Sequence, residues 1–253
     1  MVAVVTDADK AKRVLRTRLS GLVRSTAPND TAGAIAVARY DRRNSNGRLS
    51  MFEKKLIVFL KAPRPGVVKT RLASTLGANE ACIAYQQLVE TLLNRINSIE
   101  NIELCFAPDE AEREILPWLR KNWQTKAQGS GDLGQRLHRA FQSAFDDQSR
   151  RVLIIGSDCP DVTVADLESG WRALESSDVV IGPAVDGGYW LIGMREPHQF
   201  LFDDIPWSTS HVLENTLQRC ANAKLQVQLL RTLSDIDTEE NWQQFLGRQK
   251  TCR

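Results

Sequence analysis

Lys61, Arg64, Lys69 and Arg71 place four cations within eleven residues, in a stretch (K-A-P-R-P-G-V-V-K-T-R-L) stiffened by Pro63 and Pro65 and released at Gly66. Such a loop suits a polyphosphate: the cations neutralise its charge, and N–H groups at a following helix start supply hydrogen bonds. It lacks the G-x-x-x-x-G-K-[ST] order, so it is no Walker loop; a solvated basic turn is the competing reading. Gly156-Ser157-Asp158-Cys159-Pro160-Asp161 offers a carboxylate, Asp158, of the kind that Mg²⁺ or Mn²⁺ takes. Asp161 is the better placed of the two to cap a helix. Cys159 has no histidine near it in sequence and reads as a buried thiol. In Gly182–Trp190 (G-P-A-V-D-G-G-Y-W), Gly187 and Gly188 permit close approach of backbone to a ligand, and Asp186 is placed as a ligand or base. A plain Asp-Gly-Gly hairpin is the alternative. Gln128–Arg136 (Q-G-S-G-D-L-G-Q-R) is a glycine-rich helix entry suited to lining a base or a phosphate. Asp235-Ile236-Asp237-Thr238 adds two carboxylates, with helix capping by Asp237 or Thr238 as its modest reading.

Positioning these groups requires strands that end where the loops begin. Leu56–Leu60 and Val152–Ile155 are short apolar runs of the kind buried in a parallel sheet. Further strands are expected at Ile102–Phe106, Val179–Ile181, Tyr189–Gly193 and 225–230. Helices are expected at 79–97 (Asn79 as N-cap), 110–120, 132–145, 163–175, 209–220 and 239–247. Asp132 with Gln135 three residues on has the form of a capping box. Strands separated by helices of this length predict an α/β protein with a layered, mostly parallel sheet covered on both faces. Ligands of such sheets bind at the carboxyl ends of the strands, where the charged loops fall.

The composition bounds the rest. Of 253 residues, 42% are hydrophobic and 25% charged, and the formal net charge is +2. Residues 1–50 carry ten basic and four acidic side chains, or +6, which leaves 23 basic and 27 acidic on the remainder, or −4. No apolar stretch is long enough to span a membrane, and the net acidic body gives no support to nucleic-acid binding. Cys82, Cys105, Cys159, Cys220 and Cys252 are odd in number and never paired as C-x-x-C. With only three scattered histidines (138, 198, 211), that argues against a zinc site or disulfide framework and for a cytoplasmic setting. A basic amphipathic helix is conceivable over Ala8–Arg24, as a targeting segment or an arm for anionic partners. Residues 1–50 are expected to be an extension that is disordered or lies upstream of a working start at Met51, and 51–253 to be one domain.

The string Lys61–Leu72, then Gly131-Asp132-Leu133-Gly134, Gly156–Pro160, Gly182–Tyr189, Pro206-Trp207-Ser208-Thr209 and Asp235–Thr238 resemble the DUF2064 proteins, also labelled arsenosugar-biosynthesis glycosyltransferases. The resemblance covers roughly residues 54–246 and implies the nucleotide-diphospho-sugar transferase (GT-A-like) fold, a Rossmann-like three-layer α/β/α sandwich. The basic loop, Asp158 and the closing Asp-x-Asp-Thr are also similar to those of 2-phospholactate and molybdenum-cofactor guanylyltransferases. The chain departs from that pattern in having no L-A-G-G loop, and Glu240 and Asn241 where an Asp is frequent.

Taken together, these readings lead to a glycosyltransferase that uses a nucleotide sugar and a small-molecule acceptor, with Mg²⁺ or Mn²⁺ at Asp158 and with Asp186 or Asp237 as further ligands. Asp158, Asp186 and Lys69 are the expected catalytic residues. Lys61, Arg64, Gly66, Lys69, Arg71, Gly131, Asp132 and Gly134 are expected around the nucleotide and its phosphates. Gly187, Gly188, Tyr189, Trp190 and Trp207 are expected on the acceptor side. The alternatives are a nucleotidyltransferase that releases pyrophosphate from an NTP, and a non-catalytic nucleotide-binding protein.

Overall fold

The computed structural model describes residues 53–251; the expectations for residues 1–50, and Cys252, lie outside them. In chain order the elements are β1 (Lys54–Lys61), α1 (Thr70–Leu76), α2 (Ala78–Arg95), β2 (Ile102–Ala107), α3 (Glu112–Ile115), β3 (Gln124–Ala127), α4 (Leu133–Asp146), β4 (Arg151–Gly156), α5 (Val164–Ala173), β5 (Val179–Pro183), β6 (Tyr189–Met194), α6 (Val212–Asn222), β7 (Val227–Leu229) and α7 (Glu239–Thr251). The strands form one seven-stranded sheet in the order β3-β2-β1-β4-β6-β5-β7. All neighbours are parallel except β6, which runs antiparallel to β4 and to β5. This is the α/β/α sandwich with a mostly parallel sheet.

Alternation along the strands divides the core into two layers. Leu56, Val58 and Leu60 pack with Tyr85, Val89 and Leu92 of α2 and with Leu167 and Trp171 of α5. Ile57 faces the other way, toward Leu137 and Phe141 of α4 and Cys220 of α6. A third, smaller cluster joins Leu72 of α1, Ala84 and Leu88 of α2, Ile236, and Trp242 and Phe245 of α7. It fastens the loop after β1 to the segment before α7. Leu72 is fully buried there, and truncating such a side chain costs about 2–5 kcal/mol.

The chain runs from β1 outward through β2 to β3, then returns to place β4 on the other side of β1. The strand order therefore reverses between β1 and β4. Beyond their carboxyl ends opens the crevice that such a switch creates.

Several boundaries differ from the expected ones for local reasons. Gly77, not Asn79, is the N-cap of α2, and no side chain caps it. The helix expected over 110–120 is α3 followed by a 3₁₀ turn, Leu116–Trp118, at Pro117. Thr163, not Asp161, caps α5, in a capping box with Asp166. The Asp132–Gln135 box on α4 is present with both hydrogen bonds. Thr238 rather than Asp237 serves the start of α7, accepting from Asn241 N–H at 3.2 Å. Among the described residues no helix is long and apolar enough to cross a membrane. The four described cysteines are free and buried.

At the amino ends of β1 and β2, Lys55 (side chain 2% exposed) donates to Glu103 (4% exposed) at 2.7 Å. Removing Lys55 would leave Glu103 as a buried charge with neither water nor counter-ion, whereas without Glu103 the Lys55 ammonium would still have Asp147 at 3.5 Å. Lys55→Met is expected to lower unfolding stability in urea by about 3–5 kcal/mol. Lys55→Met/Glu103→Leu is expected to recover most of that loss.

Candidate active site

The loop after β1 is held first by the neighbouring strand, with Ala62 N–H donating to Ala107 C=O at 2.8 Å, and then by the buried Val68. It delivers Lys69 to the N-cap of α1 in the left-handed conformation (φ 48°, ψ 47°). Non-glycine residues adopt that conformation only under surrounding constraint, and such strain gathers at functional sites. The Lys69 side chain is 4% exposed, and its Nζ lies 2.7 Å from Asp237 Oδ1 and 3.3 Å from Asp158 Oδ2. Arg71 Nη1 is 3.5 Å from the other Asp237 oxygen.

Asp158 follows the end of β4, and its main chain is tied to the segment before α7 by Ile236 N–H donating to Asp158 C=O (3.2 Å). Leu233 forms a parallel bridge with Ala184 beyond β5, so the segment carrying Asp235 and Asp237 is stitched across two strand ends. Tyr85 of α2 supports the floor. Its hydroxyl accepts from Lys61 N–H (2.8 Å), donates to Lys61 C=O (3.1 Å), and meets Ser157 Oγ at 3.1 Å. Burial pushes that hydroxyl's pKa up to about 12, so it works as a neutral hydrogen-bonding post.

The electrostatics are tightly linked. The Lys69 ammonium is the main cause that holds the Asp158 carboxyl below its ordinary range. Burial opposes the charge on Lys69, but Asp158 and Asp237 outweigh it and keep the amine protonated above its usual pKa. Asp235 goes the other way. Burial first, and then the nearby Asp158, push its carboxyl up to about 7, with Asp186 and Asp237 adding to the rise. Its Oδ1 is buried and has no hydrogen-bond partner.

The opposite wall is the Gln128–Asp132 turn. Buried Gln128 donates from Nε2 to Cys105 C=O (2.9 Å) and Leu60 C=O (3.2 Å). Arg136 Nε braces the turn by donating to Gly131 C=O at 2.9 Å. The third wall comes from the β5–β6 loop, where Gly188 N–H donates to Asp186 Oδ1 (2.9 Å), and from the Trp207–Ser210 turn. Gly187 (φ +89°) has no room for a side chain, since a Cβ there would stand 2.2 Å from Ser210 C=O. These walls enclose an open cleft of about 880 Å³.

Of the residues expected at the site, Lys61, Lys69, Arg71, Asp158 and Asp237 line this cleft on one side. Gly131, Asp132, Asp186, Gly188, Tyr189 and Trp207 line it on the others. Arg64 is turned away from it into a fork on Glu114 (2.6 Å at the shortest) and onto Glu110 (3.2 Å). Gly66 is part of the turn outside the lining. Gly134 serves packing, because a Cβ there would meet Phe202 C=O at 2.6 Å and the Trp207 ring at 3.0 Å. Trp190 is buried in the core and donates from Nε1 to Arg231 C=O at 3.1 Å. Sequence reasoning missed Tyr85 and the supporting role of Ser157; it flagged the Gln128–Arg136 stretch as a lining but named neither Gln128 nor Arg136 for a role, and it gave Asp235 no assigned role. The pair of aspartates around Ile236 was the available signal for the last.

Carboxylate oxygens are the donors that Mg²⁺ and Mn²⁺ prefer, and the unpartnered Asp235 Oδ1 beside Asp158 and Asp237 fits such an ion. Yet among the described residues no three acidic, histidine or cysteine side chains stand ready to hold one. The Lys69 ammonium bridges two of the carboxylates instead.

Comparison with known proteins agrees with this architecture. The family model of DUF2064, described as uncharacterized proteins conserved in bacteria, matches residues 93–209. A crystal structure of a candidate nucleotide-diphospho-sugar transferase from Desulfovibrio desulfuricans G20 is 35% identical, with a TM-score of 0.70 over 74% of this chain and 84% of that one. A CMP:2-keto-3-deoxy-manno-octonic acid synthetase complexed with CTP shares the fold at 9% identity (TM-score 0.52, 79% of this chain, 100% of that one). So does 4-diphosphocytidyl-2C-methyl-D-erythritol synthase from Anaerococcus prevotii DSM 20548, at 14% identity (TM-score 0.50, 79% and 100%). No curated protein matches the chain.

The raised pKa of Asp235 has a consequence for stability. The folded carboxyl holds its proton to about pH 7 whereas the unfolded one loses it near pH 4, so the folded state binds more protons between these values. The contribution is fully present below pH 4 and is lost as pH rises through 7. In metal-free buffer, Asp235→Asn is expected to gain melting temperature relative to the unsubstituted protein as pH goes from 5 to 8. Parallel pH profiles for the two proteins would refute the assignment.

Proposed function

We propose that this chain, which belongs to the DUF2064 family, is a nucleotide-sugar-dependent glycosyltransferase that moves a glycosyl group from a nucleoside-diphosphate sugar to a small-molecule acceptor. The observation that carries the reading is the meeting of Lys69 with Asp158 and Asp237 at the crevice between β1 and β4, with Lys61 and Arg71 on the same cleft. The likeness to the Desulfovibrio protein, and what that protein is named for, supports the choice of donor.

In this reading Lys69, Arg71 and Lys61 neutralise the diphosphate, and Gln128, Gly131 and Asp132 border the nucleoside. Gly188, Tyr189 and Trp207 form the acceptor side. Asp158 and Asp237, with Asp235, would hold Mg²⁺ or Mn²⁺, which when bound neutralises charge that builds on the departing diphosphate. Asp186, fixed by the Gly188 N–H yet exposed, accepts the acceptor's hydroxyl proton as the new bond to the sugar's anomeric carbon forms. The bond from that carbon to the diphosphate breaks, and its electrons leave with the nucleoside diphosphate.

Asp158→Asn keeps the shape of the side chain and removes its charge. Turnover of a nucleotide-sugar panel is expected to fall by about a hundredfold or more while the melting curve stays cooperative. Nucleoside diphosphate is the expected product; pyrophosphate released from an NTP would reassign the chain as a nucleotidyltransferase. Undiminished turnover in Asp158→Asn would end the assignment of Asp158.

A further inference from the structure

Resting on that reading of the site, we infer that Lys69 is a resident counter-ion whose ammonium must leave Asp158 and Asp237 before those carboxylates can take a divalent cation. Metal and nucleotide phosphate therefore bind as a coupled pair. The charges facing the cluster set the argument. Asp158 arrives from the end of β4, Asp235 and Asp237 from the segment before α7, and Asp186 from the β5–β6 loop. Against them stand Lys69, nine-tenths and more buried, Arg71, largely exposed and 3.5 Å from one oxygen, and the exposed Lys61, which also lowers the Asp158 carboxyl.

The Lys69 ammonium, 4% exposed, is tolerated only with an anion at hand, whereas Asp158 and Asp237, 43% and 31% exposed, are open to a cation from the cleft. If a divalent ion displaced Lys69 with nothing else bound, the ammonium would lose both carboxylates that answer its charge. A nucleotide's phosphates supply the missing anion. The Lys69 backbone is anchored, with its C=O accepting from Ala73 N–H at 2.8 Å, so the exchange requires only rotation of the four-carbon stem within the cleft it already lines. By reciprocity, whatever draws Lys69 toward phosphate raises affinity for the cation, and the cation raises affinity for phosphate. The ion-pair geometry also accounts for the lack of a ready three-ligand metal arrangement among the described residues.

The test uses Mn²⁺ as the probe, titrated into the metal-free, nucleotide-free full-length protein and followed by the EPR signal of the free ion. The unsubstituted protein is expected to bind it weakly, with a Kd of about 1 mM or higher. Lys69→Met and Lys69→Gln are expected to bind it more tightly, by a factor within the usual span of about 5–150 for coupled ligands. Lys69→Arg, which keeps the charge, is expected to stay weak. Adding Asp158→Asn to Lys69→Met should abolish the gain.

Micromolar binding by the unsubstituted protein overturns the inference without reference to any variant. So does a neutral Lys69 variant that folds and binds no more tightly, or a gain that survives Asp158→Asn. A protein that shows the exchange yet turns over no nucleotide sugar keeps this inference and loses the glycosyl-transfer reading.

Discussion

A lysine ammonium that is 4% exposed has to be answered by carboxylates, and in this chain the answering residues lie 89 and 168 positions away in sequence. Most of the architecture around the cleft can be understood as meeting that requirement. Asp158 is brought by β4, which lies beside β1 because the sheet order reverses there. Asp237 is brought by the small apolar cluster in which Ile236, its immediate neighbour, packs with Leu72, three residues beyond Lys69. Two apolar side chains thus hold the two ends of one ion pair in register. The left-handed backbone at Lys69 is the local strain that the arrangement sustains.

The same cluster is over-supplied with acid, and that excess shapes the chemistry. Burial first, and then the neighbouring Asp158, keep the Asp235 carboxyl protonated toward neutrality, and one of its buried oxygens goes without a partner. The fold alone does not say which transfer follows, since sugar transfer and nucleotidyl transfer can share this sandwich. The choice rests on side chains of the cleft and on the 35% identical relative.

How much of this was legible in the sequence depends on the range of the interaction. The apolar runs of β1 and β4 and the Asp132–Gln135 box are local signals and read correctly. β3 is a short edge strand, Q-T-K-A, with no apolar alternation to betray it. α1 was hidden in the basic loop because no side chain caps its start. Arg64 looked like a phosphate ligand because its partner, Glu114, is 50 residues away. Trp190 was grouped with Tyr189, although adjacent residues on a strand face opposite sides. Tyr189 lines the cleft and Trp190 fills the core. Asp235 is the subtlest case, since its neighbours within one residue suggest only a turn, and its chemistry arises from burial and from Asp158, Lys69 and Asp186 on three other loops.

The proposed function requires that Lys69 hold a nucleoside diphosphate in this cleft. The most direct measurement is the melting temperature of the full-length protein with UDP, GDP, CDP and ADP, each with Mn²⁺, for the unsubstituted chain and Lys69→Met. At a hundred times its Kd, the nucleotide that fits is predicted to stabilise the unsubstituted protein by about 2.7 kcal/mol, a rise of several degrees, and to lose most of that effect in Lys69→Met. No rise with any of the four, or an equal rise in both proteins, would contradict it.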